Sequence, residues 1–261
     1  MNAQFAQPLL SVRNVTRTWD GTHGCRDVSF DLYPGEVLCV VGESGSGKST
    51  LLSAVSHQIQ PDTGSVWYDT RDQGFIDLAA LQGARLRLLS RTDWGFVRQN
   101  ARDGLRMQVS AGANIAERLM AVGERHYGDL RETAGNWLSK MEIDAGRLDD
   151  TPVSFSGGMQ QRLQIARNLV THPRLVFMDE PTASLDVSVQ ARLLDLLRQL
   201  VTDLGLAAIV VTHDLAVARL LAHRTLVMRG GRVVESGLTD QILDDPQHPY
   251  TQLLVSSILQ S

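Results

Sequence analysis

Apolar and polar residues change rhythm several times along this chain. Leu9 to Val15 alternates between the two, and so does Val28 to Leu32, the pattern of strands with one covered face. Val37 to Val41 is apolar at every position, which predicts a parallel strand buried on both sides. A glycine-rich stretch follows directly, and Lys48 to Gln58 then predicts a helix. The turn Pro61-Asp-Thr-Gly64 precedes a short strand over Ser65 to Tyr68. Leu81, Leu86, Leu88 and Leu89 give Leu78 to Ser90 a helical spacing, and Trp94 to Val97 predicts another strand.

From Gly112 to Glu142 the period is helical, carried by Ile115, Leu119 and Met120, then by Leu130, Trp137, Leu138 and Met141. Polar turns and few β-branched residues here predict a helical insertion over roughly residues 100–157. Helices and strands alternate afterwards. Met159 to Val170 is helical, Leu175 to Met178 a buried strand, Val187 to Leu204 an amphipathic helix and Ala207 to Val211 a buried strand. Leu226 to Met228 and Arg232 to Glu235 flank Arg229-Gly-Gly231, a hairpin signal, and two helical stretches close the chain. The order predicts one domain, a doubly wound α/β core over roughly 1–99 and 158–261, interrupted by a helical subdomain.

Composition narrows the classes. A chain of 261 residues suffices for one large domain, and a formal net charge of −4 gives no overall footprint for nucleic acid. No run approaches the roughly 18 apolar residues of a membrane span. The start, Met1-Asn-Ala-Gln-Phe-Ala-Gln-Pro8, has neither a basic n-region nor a long apolar stretch. The expectation is a cytoplasmic chain that does not insert into a membrane. Cys39 lies in an apolar run and predicts a buried thiol; with Cys25 as the other cysteine, no disulfide is expected. The seven histidines show no metal-ligand spacing, and His248 reads as a turn residue.

Two groups of residues carry chemistry by pattern alone. Gly42-Glu43-Ser44-Gly45-Ser46-Gly47-Lys48-Ser49-Thr50 fits the P-loop pattern, between the strand and the helix that pattern requires. The glycines let the backbone N–H groups curl around a phosphate chain, and the helix N-terminus adds partial positive charge. Lys48 would reach the β- and γ-phosphates of ATP, and the Ser49 hydroxyl would ligate Mg²⁺. The run Leu175-Val-Phe-Met-Asp179-Glu180 ends a buried strand in two carboxylates, where parallel sheets bind ligands. Asp179 suits holding Mg²⁺ through water and Glu180 suits polarising the attacking water.

Phe155-Ser156-Gly157-Gly158-Met159-Gln160, ahead of the Asp-Glu run, resembles the signature of ATP-binding-cassette ATPases. The resemblance covers Leu9 to Leu259. It implies an α/β fold: a P-loop core with an antiparallel β subdomain and an inserted helical subdomain. It also implies roles. Gln99 would touch the metal and the attacking water, His213 the γ-phosphate, and Trp19 would stack on adenine. Ser184-Leu-Asp186 would be the loop linking two sites, with Asp186 near nucleotide. Ser156, Gly157 and Gly158 would face the ATP held by another protomer's P-loop, so the family geometry implies a dimer closing on two ATP molecules, homomeric or with a related cassette subunit. Met159 departs from the more frequent glutamine, while the serine and glycines that face phosphate are kept.

Four stretches speak to the client. Asp245-Pro-Gln-His-Pro-Tyr-Thr-Gln-Leu-Leu254 resembles the tail of oligopeptide and nickel importer ATPases. The segment from Asn100 to Met120, Arg125-His-Tyr-Gly-Asp129, and the stretch from Phe155 to Pro173 instead resemble the cassette subunits of bacterial carbon–phosphorus lyase systems. That implies phosphonate breakdown with the soluble lyase core complex as partner. Arg85, Arg87, Arg91, Arg98, Arg102 and Arg106 cluster around Gln99 against Asp93 and Asp103, which suits either docking of an acidic partner or a solvated helix face. An importer ATPase, and an ATP-dependent assembly module with little turnover, stay open as alternatives.

Overall fold

The computed structural model describes residues 7–183 and 185–258. These divide into two compact units, Met1–Gln82 with Gly205–Ser261, and Gly83–Leu204.

The first unit begins with β1 (Leu10–Thr18), β2 (Gly24–Leu32), β3 (Val37–Val41), α1 (Lys48–Val55), β4 (Thr63–Thr70) and β5 (Gly74–Asp77). Four of these strands form an antiparallel sheet in the order β2-β1-β4-β5. Apolar side chains meet across it: Leu10 lies between Leu32 and Tyr68, and Val12 between Phe30 and Val66. All six residues are fully or almost fully buried. Strand β1 runs three residues beyond the alternation seen in sequence. The register shifts around Asn14, which takes a left-handed φ of 48° and donates its N–H to the Ser29 hydroxyl. Such a bulge re-phases the alternation without ending the strand. Helix α1 stops earlier than its period suggests, because His57 turns left-handed at φ 52°.

The second unit follows with α2 (Gly83–Thr92), β6 (Trp94–Val97), α3 (Ala101–Gly104), α4 (Ala111–Ala121), α5 (Tyr127–Lys140), α6 (Gly157–Leu169), β7 (Leu175–Asp179) and α7 (Val187–Leu204). The single helix expected over Leu78 to Ser90 is two pieces. Asp77 caps a 3₁₀ turn at Leu78–Ala80, Leu81 is extended, and α2 begins afresh at Gly83. Strands β6 and β7 pair in parallel, with Trp94 beside Leu175 and Phe96 beside Phe177. Phe177 anchors this layer: its ring meets Trp94 edge-on at 5.4 Å and stacks on Phe96 at 6.0 Å. Within residues 100–157, Ser110 caps α4, and α5 buries Leu130, Ala134, Trp137 and Leu138, the spacing of one helical face.

The chain returns to the first unit through β8 (Ala207–Thr212), α8 (Leu215–Leu221), β9 (Arg224–Arg229), β10 (Arg232–Leu238), α9 (Thr239–Asp244) and α10 (Pro249–Ile258). Here the order is β10-β9-β3-β8, with β3 parallel to both β8 and β9. Every residue of β3 and β8 is buried, which is why both read as unbroken apolar runs. Gly230 and Gly231, both at positive φ, close the β9–β10 hairpin. Cys25 and Cys39 are buried thiols that are not joined in a disulfide. Among the described residues no helix is long and apolar enough to cross a membrane.

Phe177→Ala removes the ring on which Trp94 and Phe96 rest. The expected cost is about 3–5 kcal/mol, read as an earlier midpoint in urea denaturation followed by tryptophan fluorescence.

Candidate functional site

The P-loop pattern of the first unit lies where β3 runs out. From Val41 the backbone enters a tight curl, with Gly42, Gly45 and Gly47 all at positive φ. Two of these glycines are required by contact as well as by dihedral. A Cβ on Gly47, at φ 99°, would stand 2.1 Å from the Gly24 carbonyl oxygen, and one on Gly42 would stand 2.2 Å from that of Met228. Lys48, the first residue of α1, is 6% exposed and folds its ammonium back into the curl. It donates to the carbonyls of Gly42 at 2.8 Å and Glu43 at 2.9 Å.

Three features of the curl fit a phosphate chain. The N-cap of α1 is Gly47, so no side chain caps the helix's first N–H groups. Glu43, Ser44 and Gly45 at the crest are exposed. The Ser46 hydroxyl is buried with no hydrogen-bond partner. Ser49 is exposed and Thr50 half-buried on the first turn of α1.

Two more candidate residues belong to this unit. Trp19 begins the loop between β1 and β2 and is 60% exposed. The Arg17 guanidinium lies 4.6 Å from its ring centroid, and Asp62 holds that guanidinium at 2.7 Å. His213 lies exposed in the loop after β8. Asp214 caps α8 through the Ala216 N–H at 2.8 Å, which fixes the end of that loop.

In the second unit, β7 delivers Asp179 as its last residue, and Glu180 follows. Both are half-buried. Glu180 takes a left-handed φ of 47° immediately before Pro181. A non-glycine residue seldom adopts that conformation, and a following proline narrows its choices further. The strain falls on the residue that the sequence assigns to proton transfer, as stored strain often does at functional positions.

The stretch Ser156–Gly158 opens α6. The Ser156 hydroxyl accepts from the Met159 N–H at 3.3 Å, so the serine is the helix cap, and Ser156 and Gly157 are exposed. Gly158 has a packing reason: a Cβ there would meet Val189 of α7 at 2.7 Å. Buried Gln160 pins the preceding turn, donating to the carbonyls of Pro152 and Phe155. Arg147 holds the same turn from outside. It lies over the Phe155 ring at 4.5 Å, bonds to Ser154 and Asp150, and reaches the Met159 sulfur at 3.5 Å. Asp186 is exposed ahead of α7 and its carbonyl accepts from the Gln190 N–H; Ser184 lies outside the described residues.

Gln99 is exposed just beyond β6, and sequence reasoning missed what holds its approach. Gln164, fully buried on α6, accepts from the Arg98 N–H at 2.5 Å and donates to the Arg98 carbonyl at 3.2 Å. Gln161 donates to that carbonyl as well, and Asn168 accepts from the Phe96 N–H at 2.9 Å. The helix that opens with Ser156 therefore also clamps the strand end that leads to Gln99. A row of amide side chains at helical spacing facing an apolar strand was the available signal. Arg118 is half-buried on α4, donating to the carbonyls of Ser90 and Trp94. Burial, with the charges of Arg167 and Arg91, lowers its pKa to about 10, so it stays protonated at neutral pH.

Comparison with known proteins adds a second line of observation. The family model for the ABC transporter matches residues 25–183, and that for the oligopeptide/dipeptide transporter C-terminal region matches residues 234–261. The phosphonates utilization ATP-binding protein PhnK of Escherichia coli is 66% identical over 98% of this chain and 99% of its own length. A peptide import ATP-binding protein of Brucella ovis is 35% identical over 96% of this chain and 78% of its own length. A solved dimeric ATP-binding cassette in a post-hydrolysis state, bound to ADP and phosphate, superposes with a TM-score of 0.79 at 29% identity, covering 88% of this chain and 98% of that one.

The amide clamp makes a testable statement. Gln164→Leu leaves the Arg98 N–H and carbonyl without this partner, a loss of about 1–3 kcal/mol. ATPase turnover is expected to fall while MgATP affinity changes by less than about threefold. A stability and a turnover equal to those of the unaltered protein would show that the clamp does not matter.

Proposed function

The chain belongs to the ATP-binding-cassette family of ATPases, and from that premise we propose that it is the ATP-hydrolysing subunit serving a soluble carbon–phosphorus lyase complex in organic phosphonate breakdown. The carrying observation is the contrast in identity over nearly the same span: 66% to a phosphonates utilization protein against 35% to a peptide import protein. The whole chain acts as one cassette domain, with a core of roughly 1–99 and 158–261 and a helical subdomain of roughly 100–157. Its place is the cytoplasm.

In this reading the curl of Gly42, Glu43, Ser44, Gly45, Ser46 and Gly47 turns backbone N–H groups toward the phosphates of ATP, and Lys48 gives up its internal carbonyls for phosphate oxygens. Thr50 follows on the same helical turn. Trp19 stacks on adenine with the face that Arg17 does not cover. Ser49, Gln99 and Asp179 offer hydroxyl, carboxamide and carboxylate oxygens, the hard donors that suit Mg²⁺. Bound Mg²⁺ would neutralise charge on the β- and γ-phosphates. Glu180 accepts the proton of the attacking water as the water oxygen bonds phosphorus and the bond to ADP breaks. His213 contacts the γ-phosphate. Ser156, Gly157 and Gly158 at the start of α6, with Asp186, complete the site of a second cassette, in a homodimer or with a related subunit.

Docking of the lyase complex falls to the basic face of the second unit. Arg85, Arg87, Arg91, Arg98, Arg102 and Arg106 are all exposed, and α2 buries none of its residues. Leu88 on that helix is 55% exposed. An acidic surface with an apolar centre would complement it. Nucleic acid is not the intended partner.

A second reading is favoured by one observation, the match of residues 234–261 to an oligopeptide/dipeptide transporter region. It makes the chain the ATPase of an importer. Affinity purification separates the two. Tagged Glu180→Gln protein, with ATP and Mg²⁺ present, is expected to stay dimeric and to retain soluble lyase subunits, identified by mass spectrometry. Recovery with an integral membrane permease and without lyase subunits overturns the proposal.

A further inference from the structure

The tail of the chain is wired to the P-loop. Helix α10 carries Tyr250, which is 6% exposed. Its phenol oxygen accepts from the Glu43 N–H at 3.0 Å. Glu43 is the second residue of the curl, at the crest that begins beyond Gly42. The contact is therefore with the backbone of the loop, at the point where the chain leaves β3, and not with a side chain that could swing away.

Tyr250 is itself held on two sides. The Arg229 guanidinium, at the end of β9, lies 4.8 Å from its ring centroid. The segment leading into α10 is tied to β10, where the Glu235 carboxylate accepts from the N–H groups of Gln247 at 2.8 Å and His248 at 3.0 Å. Burial pushes the Glu235 carboxyl up, but the Thr251 hydroxyl, these two amide N–H groups and His248 together outweigh it and hold it below the ordinary carboxylate range. The hairpin next to Arg229 touches the loop as well: the Gly231 N–H donates to the Ser46 carbonyl at 3.1 Å, and the Met228 carbonyl closes against Gly42. A partly buried network anchored at both ends holds its members more firmly than a single exposed bond does.

We propose that Tyr250 is a positioning residue of the nucleotide site, and that its bond to the Glu43 amide sets the entry of the P-loop and hence the affinity for ATP. The reason lies in the geometry of the curl. A P-loop binds phosphate with successive N–H groups turned to one centre. A loop rich in glycine has many other conformations, and each one it samples lowers affinity by the fraction of time spent away from the competent state. Committing the Glu43 N–H to a fixed phenol removes that freedom at the first residue after Gly42 and leaves the later amides to the ligand. The stretch matched to an oligopeptide/dipeptide transporter C-terminal region thus has a task inside the ATP site. This inference rests on the reading that Gly42–Thr50 binds ATP.

Tyr250→Phe keeps the ring over Arg229 and removes only the acceptor. Its expected signature is a Kd for MgATP and MgADP raised about 3- to 10-fold, measured by isothermal titration, with KM raised in step and kcat kept. Amide hydrogen exchange should quicken at Glu43 and its neighbours and stay unchanged elsewhere in the first unit. Lys48→Ala is the control for the underlying reading and is expected to lose MgATP binding. If the unaltered chain and Lys48→Ala bind MgATP alike, or neither binds, the P-loop reading fails. If the control behaves as expected but Tyr250→Phe matches the unaltered chain in affinity and in Glu43 exchange, the role of Tyr250 is overturned. It is overturned equally if exchange quickens throughout the first unit with a lowered melting temperature, because Tyr250 then only packs the tail.

Discussion

Close approach of backbone to backbone around the P-loop is the constraint on which the first unit depends. Carbonyl oxygens of Gly24 and Met228 stand where the Cβ atoms of Gly47 and Gly42 would be. No side chain fits either place, and both glycines sit at positive φ. The consequence reaches outward. The start of β2, the β9–β10 hairpin and the helix α10 all converge on one short curl, and each leaves a backbone group or a polar side chain against it. The curl is thus held by three other segments of the chain, while the buried strand β3 leads directly into it.

The second unit solves a comparable problem with side chains. Helix α6 opens on a serine cap with exposed glycines and then turns a row of glutamine and asparagine amides toward β6. Buried amides are costly unless each donor and acceptor is met. Here the strand end supplies the partners, because Phe96 and Arg98 offer backbone groups at the edge of the pair. One helix therefore presents N–H groups at its start and fixes the approach to Gln99 along its length. A displacement of α6 moves both ends of that arrangement together.

The positive surface around Gln99 follows from the same economy. Arg118 and Arg167 are spent internally, on carbonyls of Ser90, Trp94 and Asn114 and on Glu117. The remaining arginines of α2 and of the segment after β6 face outward. These half-buried, internally bonded arginines raise the local potential without being available to a partner, while exposed ones with Leu88 among them offer both charge and apolar area.

How much of this was legible depended on the reach of the signal. The glycine-rich curl was readable because strand, glycines, lysine and helix are contiguous, and local order alone defines that motif. Buried parallel strands were readable because burial on both faces leaves an unbroken apolar run, as in β3 and β8. Short elements at turns were not: β5 was missed, and the helix expected over Leu78 to Ser90 breaks at Leu81, just ahead of Gly83, which the leucine spacing runs across. The bulge at Asn14 hid the last residues of β1 for the same reason, since a shift of register erases the alternation that defines a strand. By itself, then, the sequence determined the order of the longer elements, the glycine-rich curl and the family of the chain, all of which are written in neighbouring residues. Only the tertiary structure decided that Tyr250 meets Glu43, that Gln164 grips Arg98 and that Glu180 sits strained before Pro181. Those facts arise from residues far apart in the chain, or from a backbone angle that packing imposes, and neither leaves a trace in local pattern.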